Sequence, residues 1–260
     1  MIDKRELFEI ARKRNLTLGM IEKDYVLGWL LFGLSKIKGL TFKGGTALSK
    51  IYFPRIWRLS EDLDFVYKED FQDITKVLPG IFDRIEKLSG VRLILKTQHS
   101  NPEYLQIKIQ YEAVLGKNWI KMDVTREVPI DKIASQKLSK AYSDYPAFKI
   151  SVESLEEICA EKIRSLVERK KCRDYHDVWQ LMKLKQDKAK LGKLLKQKFQ
   201  YKGLELKGTE EIFPDDLSGI LEGYWERELG RLTHPLPELA MVLNELRKNL
   251  EFLRKLSKRQ

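Results

Sequence analysis

The chain has 260 residues, and 49 lysines and arginines against 38 aspartates and glutamates give it a net charge of +11. A hydrophobic fraction of 43% can build a core, which excludes a disordered polycation, and the length suits one large domain or two modest ones. The longest apolar run, near residues 26–34, is too short to cross a bilayer, and charges stand where a signal peptide would be apolar. We therefore expect a cytoplasmic protein without a membrane partner.

Cysteine and histidine usage argues against two kinds of site. The two cysteines, Cys159 and Cys172, form no C-x-x-C pair, and the three histidines are scattered along the chain. Neither a disulfide framework nor a zinc site is indicated. The charge excess is typical of proteins with a polyanionic partner, but charge alone does not distinguish RNA or DNA binding from solubility.

The N-terminal part of the chain predicts a mixture of helices and strands. Apolar spacing marks a short helix, a longer helix and a short strand, over residues 3–14, 19–37 and 40–42. The strand ends at Gly44-Gly45, and the next segment has a helical pattern with Thr46 as its N-cap.

A second strand, a helix and three β-rich runs follow. Residues 62–67 predict the strand, and residues 70–89 predict a helix that Pro79 breaks or restarts. The β-rich runs lie at residues 91–98, 104–111 and 119–125. Apolar and polar residues alternate in the second run, as in a half-buried antiparallel strand. Residues 116–118, Gly-Lys-Asn, predict the turn between the last two runs.

After about residue 150, only helical patterns remain. They cover residues 153–169, 173–184, 188–199, 215–229 and 235–257. The change in pattern predicts an α+β domain over residues 1–148 and a helical domain over residues 149–260, with the boundary near Tyr145-Pro146.

Two acidic residues within residues 42–67 carry the most informative chemistry. Asp62 and Asp64 lie two positions apart on a predicted strand, so their carboxylates share one face and repel each other unless a cation lies between them. A hard cation such as Mg²⁺ fits there and keeps coordination positions for phosphate oxygens. Asp123, mid-strand among apolar neighbours, is the best candidate for the third acid of a two-metal phosphoryl-transfer site. These three acids are the predicted metal ligands.

The segment before the acids has the features of a phosphate-binding turn. Gly44 and Gly45 let the backbone approach a triphosphate, and the helix that follows offers free N–H groups. Thr46, Lys50 and Arg58 add donors and positive charge. The spacings of a P-loop, a dinucleotide fingerprint and an EF-hand are absent. A lone Gly-Gly or a lone D-x-D is weak evidence for a phosphate or metal site. The two motifs within one short span are far more specific for such a site.

Two sequence blocks carry a family resemblance. KGGTALSK, from residue 43, and RLSEDLDF, from residue 58, together resemble the signature of the AbiEii/AbiGii (MenT-like) nucleotidyltransferase toxins. These toxins belong to the DNA polymerase β-like nucleotidyltransferase superfamily, whose pattern is a G-[GS] turn, then D-x-[DE], then a later acid. EEICAEKIRSLVERKKCRDYHDVW, residues 156–179, is similar to the family's lysine-bearing helix and R-D-x-x-D element. Residues 185–260 carry no part of the resemblance.

The resemblance implies both a fold and a set of site residues. The fold is a polymerase β-like core, a mixed sheet flanked by helices, followed by a helical domain that contributes to the active-site cleft. Asp62 and Asp64 are implied metal ligands, Lys162 a triphosphate contact, and Asp174 or Asp177 a further catalytic carboxylate. The implied phosphate-lining residues are Gly45, Thr46, Lys50 and Ser60.

Lys162 also has support from the residues themselves. It interrupts an apolar stripe formed by Leu155, Cys159 and Leu166 at helical spacing, and an inward-facing lysine is costly unless it meets anions. The alternative is that its stem lies on the stripe while its ammonium reaches water. Asp174 has an alternative role at a helix start, so Asp177, deeper in that helix, is the stronger catalytic candidate.

Together these observations predict a Mg²⁺-dependent nucleotidyltransferase that uses an NTP, with two metal ions on the three acids. The resemblance implies RNA as the acceptor, at the 3′ end of tRNA, and the role of a toxin with a cognate antitoxin. A first alternative is transfer to a hydroxyl of a protein, such as the antitoxin, or of a small molecule, such as an aminoglycoside. A second alternative is a non-catalytic RNA-binding relative.

The charge excess is confined to the C-terminal part of the chain. Residues 183–207 have a net charge of +7 and residues 247–260 a net charge of +5, so the rest of the chain has a net charge of −1. A basic helical surface beside a near-neutral catalytic domain suits an enzyme that grips a long polyanion. The alternative is a solvated lysine-rich surface without a binding role.

Overall fold

The computed structural model describes residues 1–54, 58–205 and 208–254. It divides the chain into two compact units, Met1–Glu153 and Ser154–Gln260. Every strand in these described ranges lies in the first unit, and the second unit contains helices. The predicted α+β fold, with a mixed sheet flanked by helices and a helical C-terminal part, is therefore confirmed.

The helices of the first unit are α1 (Lys4–Arg14), α2 (Leu18–Leu34), α3 (Gly44–Ala47) and α4 (Phe71–Ser89). Almost every residue of α2 is buried, including Glu22 and Asp24 among mostly apolar side chains, as expected for a central helix. Asp70 caps α4 by accepting a hydrogen bond from the Gln72 amide, and Gly90 ends it in the left-handed conformation. The break predicted at Pro79 is wrong, because α4 runs through that residue as one helix.

Seven strands form one mixed sheet in the order β3-β4-β5-β2-β1-β7-β6. Their bounds are β1 (Thr41–Lys43), β2 (Leu63–Val66), β3 (Arg92–Asn101), β4 (Tyr104–Ala113), β5 (Gly116–Thr125), β6 (Ala134–Lys137) and β7 (Lys149–Val152). The pairs β2–β5 and β1–β7 are parallel, and the other neighbouring pairs are antiparallel.

Two sequence predictions about strands are corrected. Residues 116–118 are not a turn, because Gly116 pairs with Ala113 and opens β5 with a φ of 118°, which leaves Val114 and Leu115 as the turn. The sequence also missed β6 and β7, which are too short to establish a periodic pattern. Since β7 pairs with β1, the first unit extends to Glu153, past the boundary predicted at residue 148.

The core of the first unit lies on one face of the long strands. Ile107, Ile109 and Tyr111 of β4 are fully buried, whereas Lys108 between them is exposed, as the alternation predicts. Helix α2 packs against β4 and β5, and α4 packs against β3. The helices therefore cover one face of these strands.

The second unit is formed by α5 (Leu155–Arg169), α6 (Cys172–Met182), α7 (Lys188–Tyr201), α8 (Leu217–Leu229) and α9 (Leu239–Asn249). Five helices were predicted here. The last was predicted over residues 235–257, whereas α9 begins at Leu239 and ends at Asn249, and residues 255–257 of the prediction lie outside the described residues. Helix α5 packs against α6 and α7, and α6 packs against α8 and α9. Within the described ranges, no helix has both the length and the apolar character needed to cross a membrane.

Candidate active site

Neighbouring parallel strands bring two of the predicted metal ligands together. Asp64 of β2 pairs directly with Asp123 of β5, and Asp62 lies just before β2. Paired residues of adjacent strands point to the same face of the sheet, so the side chains of Asp64 and Asp123 are neighbours. The strand of Asp123 therefore lies beside the strand of Asp64.

Gly44 lies against the carboxylate of Asp64. Its φ is 76°, and a Cβ atom at this position would stand 2.5 Å from Oδ2 of Asp64. Only glycine tolerates both the left-handed backbone and this approach without strain. The N-cap predicted at Thr46 is wrong, because α3 begins at Gly44 and places Thr46 inside the helix. The Thr46 hydroxyl instead donates to the backbone carbonyl of Asp62.

Three side chains that the sequence analysis did not single out contact Asp123. Its Oδ1 accepts hydrogen bonds from the Tyr104 hydroxyl at 2.5 Å and from Nε2 of Gln106 at 3.1 Å. Its Oδ2 lies 2.7 Å from Nζ of Lys121. Tyr104, Gln106 and Lys121 could have been found from β-strand periodicity, because they share the face of Asp123.

Lys121 is the cation that balances this acidic site. Partial burial lowers the pKa of its ammonium, but the hydrogen bond with Asp123 and the charges of Asp123, Asp62 and Asp64 outweigh burial and raise that pKa. Burial and the hydrogen bond to Asp123 raise the pKa of Tyr104, so its hydroxyl stays protonated. All three predicted acids therefore act on one ammonium group.

The donor chemistry of this cluster fits a hard divalent cation. Carboxylate oxygens are the ligands that Mg²⁺ prefers, and the three acids already act together on a single positive charge. No group of three or more His, Cys, Asp or Glu side chains in the described part of the chain is arranged to hold a metal ion. A cation on Asp123 would have to replace its bonds with Lys121 and Tyr104.

Lys50, predicted to contact phosphate, is engaged elsewhere. Its ammonium is buried, lies 2.9 Å from Oδ1 of Asp24, and donates to the Asp24 backbone carbonyl at 2.7 Å. Asp24 also accepts a hydrogen bond from Tyr142 at 2.8 Å. Burial raises the pKa of Asp24, but Lys50 and Arg14 outweigh burial and lower it. The phosphate role of Lys50 stays a prediction.

Arg58 and Ser60 lie on the segment that leads into β2. Arg58 is buried, and its Nη1 donates to the Leu59 carbonyl at 3.0 Å. Ser60 is half-buried, so a ligand can reach part of its surface. Their roles as phosphate-lining residues stay predictions.

The second unit holds its own cluster of predicted site residues. Nζ of Lys162 lies 3.1 Å from Oδ1 of Asp174 and 2.8 Å from Oδ2 of Asp177. All three residues are buried, so Lys162 meets carboxylates within the apolar stripe. Asp174 is in the first turn of α6, whose N-cap is Lys171.

Arg169, which the sequence analysis did not select, completes this cluster. It donates two hydrogen bonds to Asp174, at 2.8 and 3.1 Å. Burial raises the pKa of Asp174, but the charges of Lys162 and Arg169 outweigh burial and hold it below its usual value. Both Asp174 and Asp177 contact the ammonium of Lys162, and contact geometry alone gives neither priority.

One residue of the predicted basic surface is not on the surface. Lys198 of α7 is fully buried, and its ammonium lies 2.8 Å from Glu157 and 2.8 Å from Glu161 of α5. Most of the neighbouring lysines of residues 183–205 are exposed. Residues 206–207 and 255–260 of the two predicted basic segments lie outside the described residues.

Comparisons with known proteins agree with this architecture. Residues 29–251 match the model of the family described as nucleotidyl transferase AbiEii toxin, type IV toxin–antitoxin system. The structure resembles MenT4, a nucleotidyltransferase toxin from Mycobacterium tuberculosis H37Rv, with 20% identity, a TM-score of 0.70, and coverage of 97% of this chain and 90% of that one. It also resembles JHP933 from Helicobacter pylori, with 18% identity, a TM-score of 0.61, and coverage of 94% and 96%. Among curated proteins, no significant match was found.

The two solved structures show the fold, and the family model shows the family. That model spans most of the chain, including both sequence blocks and both acidic clusters. Membership implies an NTP substrate and an antitoxin partner. The chain belongs to the AbiEii nucleotidyl transferase toxins of type IV toxin–antitoxin systems, and it is a nucleotidyltransferase.

Proposed function

We propose that this toxin transfers a nucleoside monophosphate from an NTP to a hydroxyl of RNA, at the 3′ end of tRNA, in a Mg²⁺-dependent reaction. The acceptor hydroxyl loses its proton and forms a phosphodiester bond with the α-phosphate, and pyrophosphate leaves. The observation that carries this proposal is the direct pairing of Asp64 with Asp123, against the backbone of Gly44. A cytoplasmic location, where NTPs and tRNA are found, belongs to the same proposal.

The acids of the first unit would hold the metal. Asp62, Asp64 and Asp123 are the assigned ligands, and bound Mg²⁺ would neutralise charge on the phosphates. Lys121 holds the carboxylate of Asp123 in place until a stronger cation replaces it. Tyr104 holds the same carboxylate from its other oxygen.

The remaining site residues are assigned to the nucleotide. The backbone at Gly44 and Gly45 approaches the phosphates, and Thr46, Arg58 and Ser60 line them, with Lys50 as a further predicted contact. In the second unit, Lys162 is assigned to the triphosphate and Asp177 or Asp174 to the further catalytic carboxylate. Contacts with two buried carboxylates limit the rotamers of Lys162, which orients its ammonium before an anion binds.

The test replaces single carboxylates by amides of the same shape. With labelled NTP and tRNA, we expect Asp64→Asn and Asp123→Asn each to lower the rate of transfer by at least about a hundredfold, because charge stabilisation at the phosphates is lost. Asp83→Asn removes an exposed carboxylate from α4 and is the matched control, with an unchanged rate. Wild-type rates in both site variants would overturn the proposal.

The same assay separates the alternative acceptors. The wild-type protein is offered tRNA, its antitoxin and an aminoglycoside in parallel, each with labelled NTP. Label on tRNA supports the proposal. Label on only the antitoxin or the aminoglycoside would show that this molecule, and not RNA, is the acceptor. Absence of transfer to every acceptor would favour a non-catalytic relative.

A further inference from the structure

The strand that carries Asp123 presents a row of side chains on the same face of the sheet. Positions two apart on a strand share a face, so Lys121, Trp119 and Lys117 lie in line with Asp123 along β5. The row thus begins at a carboxylate of the candidate site and runs away from it along the strand.

Two further strands widen this row into a surface. On β4, Gln106, Lys108 and Gln110 pair with Asp123, Lys121 and Trp119 in turn. On β3, the residues opposite these three are His99, Thr97 and Ile94. We call this surface the open face: Lys117, Trp119 and Lys121 of β5, Gln106, Lys108, Gln110 and Glu112 of β4, and Arg92, Ile94, Thr97 and His99 of β3.

The open face differs from the opposite face of the same strands. The opposite face contains the buried Ile107, Ile109 and Met122, with 0% exposure, against which α2 packs. On the open face, Trp119 keeps 37% of its surface exposed, and Lys108 and Lys117 are also exposed. Tryptophan is enriched at binding interfaces, because its ring offers a large apolar surface and its N–H a polar end.

The chemistry of the open face suits a polyanion with flat bases. Arg92, Lys108 and Lys117 give three positive charges against Glu112, whereas the charge of Lys121 is paired with Asp123. Nζ of Lys108 lies over the Trp119 ring, 4.6 Å from its centre, so the cation is in contact with one face of the aromatic plane. An aromatic platform flanked by lysines is how proteins hold single-stranded nucleic acid. A protein partner would favour a larger contiguous apolar patch than Trp119 and Ile94 provide.

We propose that the open face binds the unpaired end of the acceptor RNA, with a base stacked on Trp119 and phosphates beside Lys108 and Lys117. The strand of RNA would follow β5 towards Asp123, over roughly 13 Å at the rise of a β-strand. This inference rests on the proposed transfer to RNA and adds the surface that orients the acceptor. Trp119 is a positioning residue, because it lies four positions from the acid.

The test compares binding of single-stranded and duplex RNA. A fluorescent single-stranded RNA with a free 3′ hydroxyl, and a blunt duplex of the same sequence, are titrated into wild type, Trp119→Ala and Trp119→Phe. We expect Trp119→Ala to weaken single-strand binding by roughly tenfold or more, while Trp119→Phe retains most of it. Duplex binding should change little, because paired bases are not free to stack.

Lysine and aromatic controls complete the design. Lys108→Gln should lower the salt dependence of single-strand binding by about one phosphate contact. Tyr224→Ala is the matched control, since Tyr224 is 48% exposed and lies 4.4 Å from Arg227, yet is in the helical unit. We expect Tyr224→Ala to bind RNA as the wild type does. The midpoint of thermal unfolding of each variant checks its fold.

The outcomes separate this inference from the proposed function. If Trp119→Ala binds single strands as tightly as the wild type while tRNA is still labelled, the open face is not the acceptor surface and the transfer reaction stands. If single-strand and duplex binding fall together, stacking is not the cause and the inference is overturned. If Trp119→Ala unfolds, the test uses the single-strand binding of Trp119→Phe and the salt dependence of single-strand binding by Lys108→Gln. If the wild type transfers nothing to RNA, the proposed function itself fails.

Discussion

Gly44 gives the clearest link between one residue and the chemistry of the site. Its left-handed backbone lets β1 turn directly into α3, and the absence of a side chain leaves room for Asp64. The sequence pointed to Gly44-Gly45 through the motif. The reason became visible only with the pairing of Lys43 and Asp64, which sets this backbone against the carboxylate.

Gly44→Ala should displace that carboxylate. A Cβ atom 2.5 Å from Oδ2 of Asp64, at a φ of 76°, is strained both by contact and by backbone, so we expect a loss of about 1–3 kcal/mol in unfolding free energy and a large loss of NTP transfer. Urea unfolding and the transfer assay measure the two effects. Gly80→Ala in α4 meets nothing within 4 Å and should be neutral or stabilising. Equal behaviour of the two variants would contradict the role given to Gly44.

At the scale of elements, the structure shows that one lysine of the predicted basic surface is instead part of ion pairs between two helices. The sequence indicated that residues 183–207 contribute a basic helical surface, since lysines dominate them. The structure shows that α7 also turns one lysine inwards, onto two glutamates one turn apart on α5. Lys198 precedes the buried Phe199 and lies among apolar residues at helical spacing. Helical periodicity could therefore have predicted that Lys198 is buried, whereas a count of charges could not.

Lys198→Met should destabilise the helical unit strongly. It removes the ammonium and leaves the carboxylates of Glu157 and Glu161 near an apolar side chain, so we expect a loss of about 3–5 kcal/mol in unfolding free energy. Lys196→Met, on an exposed position of the same helix, should change it by less than about 0.5 kcal/mol. Urea unfolding monitored by circular dichroism compares the two. Similar unfolding free energies would mean that the buried ion pairs add little to stability.

For the whole molecule, each unit contains a buried aspartate whose ionisation is coupled to folding. Asp24 in the first unit and Asp174 in the second have a pKa below the usual value of 3.8, because lysine and arginine partners outweigh the cost of burial. A carboxylate with a lowered folded-state pKa stabilises the protein fully above its unfolded-state pKa. That contribution disappears as the pH falls through the lower, folded-state value.

Acid should therefore destabilise both units. We expect the unfolding free energy to fall as the pH decreases from about 4 downwards, with Asp24→Asn and Asp174→Asn each showing a smaller decrease over this range. Urea unfolding at a series of pH values measures this dependence of the unfolding free energy on pH. If the unfolding curve shows two transitions, each is fitted separately. A wild-type stability that does not change below pH 4 would contradict the coupling.

Local information was sufficient for the fold class and the helices of the second unit. It also placed Asp64 and Asp123 on strands, but the strand predicted over residues 62–67 begins only at Leu63, so Asp62 lies just before it. Periodicity and motif spacing involve residues that are close together in the sequence. They can therefore be recognised without knowing which distant segments pack against them. Contacts between distant segments decided the rest. Asp64 meets Asp123 through strand register, Lys50 meets Asp24 across 26 positions, and Lys198 meets Glu161 across 37. The role of a charged side chain depends on the group that it contacts. The tertiary structure determines which group that is, because the two partners lie far apart in the sequence.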